Sequence, residues 1–161
     1  MTKSRADIGL IVIGVGTEFR CDDGVGPAVI QRLRGAVPEK VELLCSDGEP
    51  TRLMEAWMDA GIAVVVDAVS GGDAPPGTLH RVVVGQDQLG PAAAPASSHG
   101  LGLRAAVELS RALCRLPALL ILHGVQGEVF GYGQAFSPPV AAAIDELTAR
   151  VRADVLSLSA S

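Results

Sequence analysis

The stretch IGLIVIGVGTEFRCDDGVGPAVIQRL, residues 8–33, decides the fold class. Ile8 to Val15 is apolar throughout apart from glycine, the pattern of a strand covered on both faces rather than wet on one. Pro27 suits the first turn of a helix, where its missing N–H has no intrahelical partner to lose. Val25, Val29 and Leu33 then recur at spacing four, and Gly35 and Pro38 close the stretch. The unit is strand, loop, helix, and the rest of the chain repeats it.

Val41 to Leu44 reads as a second strand, and Pro50 to Asp59 as a helix with Leu53, Met54, Trp57 and Met58 on one stripe. The β-branched run Ile62 to Val66 ends at Asp67 and predicts a central strand, with a Gly/Pro-rich segment following from Ser70 to Gly77. Leu79 to Val84 predicts a strand nearer an edge, because it alternates poorly and carries His80 and Arg81. After a Pro/Ala-rich loop, Gln86 to Ser98, come a helix over about Leu101 to Leu116 and a buried strand over Ala118 to Leu122. A glycine-rich excursion through Gly124, Gly127, Gly131 and Gly133 leads to Ser137, the expected cap of a last helix with Pro138 in its first turn. Val140, Ile144, Leu147 and Val151 form the buried stripe of that helix.

Alternating helices and fully buried strands specify an α/β fold with a mostly parallel sheet covered on both sides. The 161 residues, 48% of them hydrophobic, suit a single domain over 1–161 with a core spanning about 8–156. Only 3% are aromatic, so no stacking platform for single-stranded nucleic acid is available. A net charge of −5 without a Lys/Arg run gives no field to hold a phosphate backbone or an anionic membrane. Cys21, Cys45 and Cys114 are too few and too scattered for a disulfide framework, which fits a reducing compartment. With no signal peptide and no long apolar run, the expected location is the cytoplasm.

In such sheets ligands bind outside the carboxyl ends of the strands, which singles out the loops after Val15, after Val66 and before Leu101. The first loop fails as a dinucleotide site: Phe19 breaks GxGxxG, no GK[ST] lysine is present, and Asp22 and Asp23 would repel a diphosphate. One of these two acids is expected to cap the following helix, leaving the other to face the crevice. Asp67, at the end of a hydrophobic strand, faces the same crevice or caps the turn near Ser70. His99 stands at a loop–helix junction rather than on an apolar face. Asp23, Asp67 and His99 together offer a mixed N/O set with open positions, suited to Ni²⁺ or Zn²⁺ and poor for Cu⁺.

His80 reads as a surface residue, while His123 either reaches the crevice or simply ends a strand. Cys21 has an acidic setting, the reverse of the electropositive one a reactive cysteine needs. No G-x-S-x-G elbow accompanies Ser97 and Ser98, so a serine hydrolase is excluded.

The assembled segments resemble the family of nickel–iron hydrogenase maturation endopeptidases. The resemblance rests on Gly14-Val-Gly16 with Asp22-Asp23-Gly24-Val-Gly26, on Val65-Val66-Asp67-Ala68, on Ser98-His99-Gly-Leu101, and on Gly124-Val-Gln126 with Ser137-Pro138-Pro-Val140. These pieces occur in the family's order and span Ile8 to about Arg150. The resemblance implies a three-layer α/β/α sandwich around a twisted five-stranded sheet. It implies metal binding and catalysis by Asp23, Asp67 and His99, the triple that the donor chemistry selects. The implied activity is a single cut in the C-terminal tail of the hydrogenase large-subunit precursor after nickel insertion. Nickel in the precursor would be the recognition element, with Zn²⁺ or another divalent ion able to occupy the isolated site.

Two departures stand out. Thr17 replaces the usual Asn, keeping a hydrogen-bonding group without the bifunctional amide, and Gly124-Val-Gln-Gly-Glu128 lacks the common proline-bearing turn. Under the resemblance the metal either polarises the carbonyl or activates water, or it only positions the tail while a carboxylate acts as base. A zinc-dependent peptidase or amidase of other specificity, and a nickel-sensing docking or chaperone protein that does not cleave, are the competing readings. A monomer suffices for any of them.

Overall fold

A computed structural model describes residues 9–84 and 100–160. Five strands, Leu10–Val15 (β1), Glu42–Ser46 (β2), Ile62–Val69 (β3), Leu79–Val84 (β4) and Leu119–Gln126 (β5), form one sheet in the order β2-β1-β3-β5-β4. All neighbouring pairs are parallel except β4 with β5. The helices are Val25–Leu33 (α1), Pro50–Trp57 (α2), Gly100–Ala112 (α3) and Pro138–Ser159 (α4). The expected α/β sandwich on a mostly parallel sheet is the fold observed.

Strand alternation sorts the core into two layers. Leu10, Val12, Val64, Val66, Ile121 and Val125 point to one face, where α1 and α4 bury Val29, Ile30, Leu33, Ile144, Leu147 and Val151 against them. Ile11, Ile13, Val15, Ala63, Val65 and Leu120 point to the other, against Leu53 and Trp57 of α2 and Ala106 and Val107 of α3. The buried Trp57 indole N–H donates to Ser110 Oγ at 2.9 Å, so the one polar atom of this large side chain is satisfied across the α2–α3 contact.

Close approach of backbone explains two glycines of the first loop. A Cβ on Gly26 would lie 2.3 Å from the Val15 carbonyl oxygen, and one on Gly14 would lie 2.4 Å from that of Gly26. The start of α1 therefore sits directly on β1, as only paired glycines permit.

Several boundaries differ from those expected from the sequence. The central strand does not end at Asp67: β3 runs on to Val69, and Asp67 is a ladder residue in register with Gly124. The last strand does not end at Leu122 either, because β5 carries His123, Gly124 and Gln126 within its ladder. Backbone pairing of β3 with β5, not side-chain hydropathy, sets these ends. The chain reverses direction between β1→β2 and β2→β3, so the topological switch point lies between β1 and β3.

Candidate active site

From the end of β1 the chain makes a short 3-10 turn, Cys21–Gly24, before α1 begins. Neither acid caps that helix, contrary to expectation: its N-cap is Gly24, and no side-chain cap bond is made. Asp22 and Asp23 are both buried, and they part company. A 3-10 turn rotates successive residues by roughly 120°, so adjacent side chains leave in different directions.

Asp22 points to the segment after β5. Its Oδ2 accepts the N–H groups of Glu128 at 2.8 Å and Val129 at 2.9 Å and the Ser137 hydroxyl at 2.7 Å, while Oδ1 accepts the Ser137 N–H at 2.8 Å. Burial opposes its charge, but the N–H groups of Val129, Glu128 and Ser137 and the Ser137 hydroxyl outweigh it and hold the carboxyl below the usual range. Ser137 is the N-cap residue of α4, as expected, but makes no side-chain cap bond and spends its hydroxyl on Asp22 instead. Backbone bonds continue the seam: Cys21 N–H to Gly133 O, Gly133 N–H to Phe19 O and Asp22 N–H to Val129 O, each at 2.9 Å. The loop after β1 is thus fastened to the loop after β5.

Asp23 turns the other way, to the carboxyl end of β1. Thr17 donates its N–H to Asp23 Oδ2 at 2.9 Å. The contact at that position is made by the backbone N–H, which every residue type but proline supplies, so the exchange of Asn for Thr leaves it intact. Gly16, at φ +138°, makes room: a Cβ there would stand 1.9 Å from the Asp23 carbonyl oxygen and 3.6 Å from its Cγ. One strand over, Asp67 is also buried, on the face shared by Ala63 and Val65. Since Gly14 pairs with Val66, continuation of the register sets Asp67 opposite Val15, directly before the Gly16 cradle. Two of the three expected site residues therefore come to the carboxyl side of the adjacent strands β1 and β3, at the switch point. His99 lies outside the described residues, as does the loop Gln86 to Ser98. Among the described residues alone, no group of three or more His, Cys, Asp or Glu side chains is placed to hold a metal.

The other two histidines depart from the sequence reading. His123 does not reach this crevice. It is buried on the α1/α4 face, with Nε2 2.6 Å from Asp154 Oδ2, and Arg81 donates to both oxygens of the same carboxylate at 2.9 and 3.1 Å. Burial pushes the imidazole pKa down and outweighs the upward pull of Asp154. A histidine held below its unfolded value of 6.5 adds stability above that pH and loses it as pH falls. Accordingly, from pH 7 to pH 5 the thermal midpoint should fall further for the native chain than for His123→Gln, which keeps a donor toward Asp154 but does not titrate. Equal falls in a calorimetric pH series would contradict this account.

His80, expected at the surface, is half-buried at the start of β4. It bonds the side chain of Gln126, a residue that sequence reading included in a motif without a role.

Comparison with known proteins agrees with this fold. A family profile described as hydrogenase maturation protease matches residues 27–153, a region containing Asp67 and His99 and beginning just after Asp23. The hydrogenase expression/formation protein HupD of Thiocapsa roseopersicina is 30% identical over 139 residues, covering 84% of this chain and 62% of that protein. The chain thus spans less than two thirds of that relative's length. Among solved structures, the hydrogenase maturating endopeptidase HybD of E. coli superposes with a TM-score of 0.76 at 23% identity, covering 90% of each chain. The maturation protease HybD of Thermococcus kodakarensis gives 0.72 at 19% identity, over 91% of this chain and 98% of that one. These likenesses show a common fold, and the profile match, which runs through most of the sequence, shows that this chain belongs to the hydrogenase maturation protease family.

Proposed function

We propose that the chain is an endopeptidase that removes the C-terminal extension of the nickel–iron hydrogenase large-subunit precursor after nickel insertion, with the precursor's nickel as the element recognised. One observation carries this reading: in a member of this family, buried Asp23, in the turn after β1, and buried Asp67, in the carboxyl half of β3, lie on the carboxyl side of adjacent strands at the switch point of the sheet. The donor chemistry fits a divalent ion, since two carboxylates supply hard oxygens and His99 adds the borderline imidazole that nickel or zinc favours. Nickel held there would supply Lewis acidity toward the scissile carbonyl or a water molecule.

The chain's own groups have definable tasks. The Thr17 N–H fixes one oxygen of Asp23, and the Gly16 cradle fixes its backbone, so the carboxylate is oriented before substrate arrives. Asp67 is anchored by ladder pairing with Gly124 of β5 and needs no loop ordering to reach the site. Hydrolysis adds water across the C–N bond, and one of these two carboxylates takes the water's proton.

In this proposal the protein acts in the cytoplasm as a monomer, with the precursor as its partner and no role for nucleic acid or membrane. Cys21, Cys45 and Cys114 are all free thiols, and no described helix is long and apolar enough to cross a membrane.

Intact mass spectrometry of the nickel-loaded precursor from the same organism tests the reading. The expected result is one loss from the C-terminus, present with nickel and missing without it. An unchanged mass, under verified metal loading and binding, would instead identify a docking protein. Nickel-independent turnover of short peptides would indicate a zinc peptidase.

A further inference from the structure

Asp67, Gly124 and His80 form one row across β3, β5 and β4, since both Asp67 and His80 pair with Gly124. A Cβ on Gly124 would lie 3.7 Å from His80 Cβ, so His80 projects from the same face as that position. Asp67, in register on the parallel neighbour, shares this face. Between them the sheet has no side chain of its own; Val69 Cγ2 leans over the glycine, 2.9 Å from where a Cβ would sit, and makes the floor apolar.

The protonation of His80 can be read from its neighbours. Gln126 Nε2 donates to the Gly71 carbonyl at 2.7 Å, and a carbonyl can only accept, so the amide orientation is settled. Gln126 Oε1 must then be the atom facing His80 Nε2, at 3.2 Å, and Nε2 must carry the proton. In the neutral ring Nδ1 is left as an acceptor, and among the described residues it has no hydrogen-bond donor.

We infer that His80 is a substrate-binding residue, whose Nδ1 accepts a backbone N–H of an extended segment of the cleaved protein lying across the carboxyl ends of β3 and β5 and the antiparallel start of β4. The inference rests on the endopeptidase reading above. Its geometry is plain. Two strand spacings separate Asp67 from His80 by about 10 Å, which an extended peptide spans in about three residues. A scissile bond at Asp67 therefore places a residue about three positions away at His80, over the apolar floor of Val69. Such a contact is made equally in ground and transition states, so it acts on binding rather than on the chemical step.

Steady-state cleavage of the nickel-loaded precursor by the native chain, His80→Ala, His80→Asn and His80→Gln decides the matter. An Asn oxygen stands near the place of Nδ1, whereas a Gln nitrogen stands near that of Nε2 and can only keep the bond to Gln126. The expected result is a KM raised roughly 3- to 10-fold in His80→Ala and His80→Gln, with kcat little changed, and recovery in His80→Asn. Recovery by Gln but not Asn would assign His80 a structural role through Gln126 and overturn the inference. An unchanged KM in His80→Ala would also overturn it while leaving the endopeptidase reading in place. Absence of cleavage by the native chain would remove that reading and the inference with it.

Discussion

Asp22→Ala should be the most destabilising single substitution in the site region, lowering the unfolding free energy by roughly 3–5 kcal/mol. The magnitude follows from what the carboxylate leaves behind. Three backbone N–H groups and the Ser137 hydroxyl converge on it in a buried setting, and alanine offers none of them an acceptor. Asp22→Asn should recover only part of the loss. Its single oxygen, if turned to the Ser137 N–H, presents an amide NH₂ to the N–H groups of Glu128 and Val129. Because the folded state holds the Asp22 carboxyl below its ordinary value of 3.8, its contribution is intact above that pH and is lost as pH falls through the lower folded value. Urea titrations at pH 7 and pH 3 check both points: the gap between native and Asp22→Ala chains should narrow at pH 3. A gap below about 1 kcal/mol at pH 7 would mean that the loops after β1 and β5 are not held together by this residue.

How far the sequence reveals this depends on the physical origin of each feature. Runs such as Leu10 to Val15 and Ile62 to Val66 announce their strands because burial on both faces leaves no room for polar residues. Their ends are hidden, because Asp67 and Gln126 remain in the ladder through backbone bonds that hydropathy does not register. The pair Asp22-Asp23 shows the same limit more sharply. Two identical neighbouring residues divide into a loop fastener and a candidate site carboxylate at the end of β1 only through the rotation of the 3-10 turn. Nothing local in the sequence distinguishes Gln126 or His80 either. Their connection needs the antiparallel return of β4 beside β5, which brings residues 46 positions apart within hydrogen-bond reach. Asp67, by contrast, is legible as a candidate site residue, because a carboxylate following the otherwise apolar run Ile62 to Val66 has few structural uses.

That contrast between Asp22 and the two proposed site acids leads to the largest functional effect expected. Asp23→Asn and Asp67→Asn should each lower cleavage of the nickel-loaded precursor by about 10²–10⁴-fold, the range associated with losing a positioned acid–base group. Asparagine keeps the size of the side chain and one oxygen, but it loses the negative charge, cannot take a proton at neutral pH, and is a poorer partner for a divalent ion. The Asp23 variant retains an oxygen for the Thr17 N–H, and the Gly16 cradle receives Asp23 through its backbone, so the fold at the end of β1 should be preserved. The paired readout is cleavage rate by intact mass together with the urea midpoint. Activity should collapse with the midpoint close to native in the Asn variants of 23 and 67, whereas Asp22→Ala should lose stability first and activity as a consequence. A native cleavage rate in Asp23→Asn would transfer the chemistry to other residues, because the carboxylate beside Gly16 would then be dispensable. Equal unfolding in all three variants would show instead that the two acids of the turn share one structural task, and that the separation of roles by the 3-10 turn is wrong.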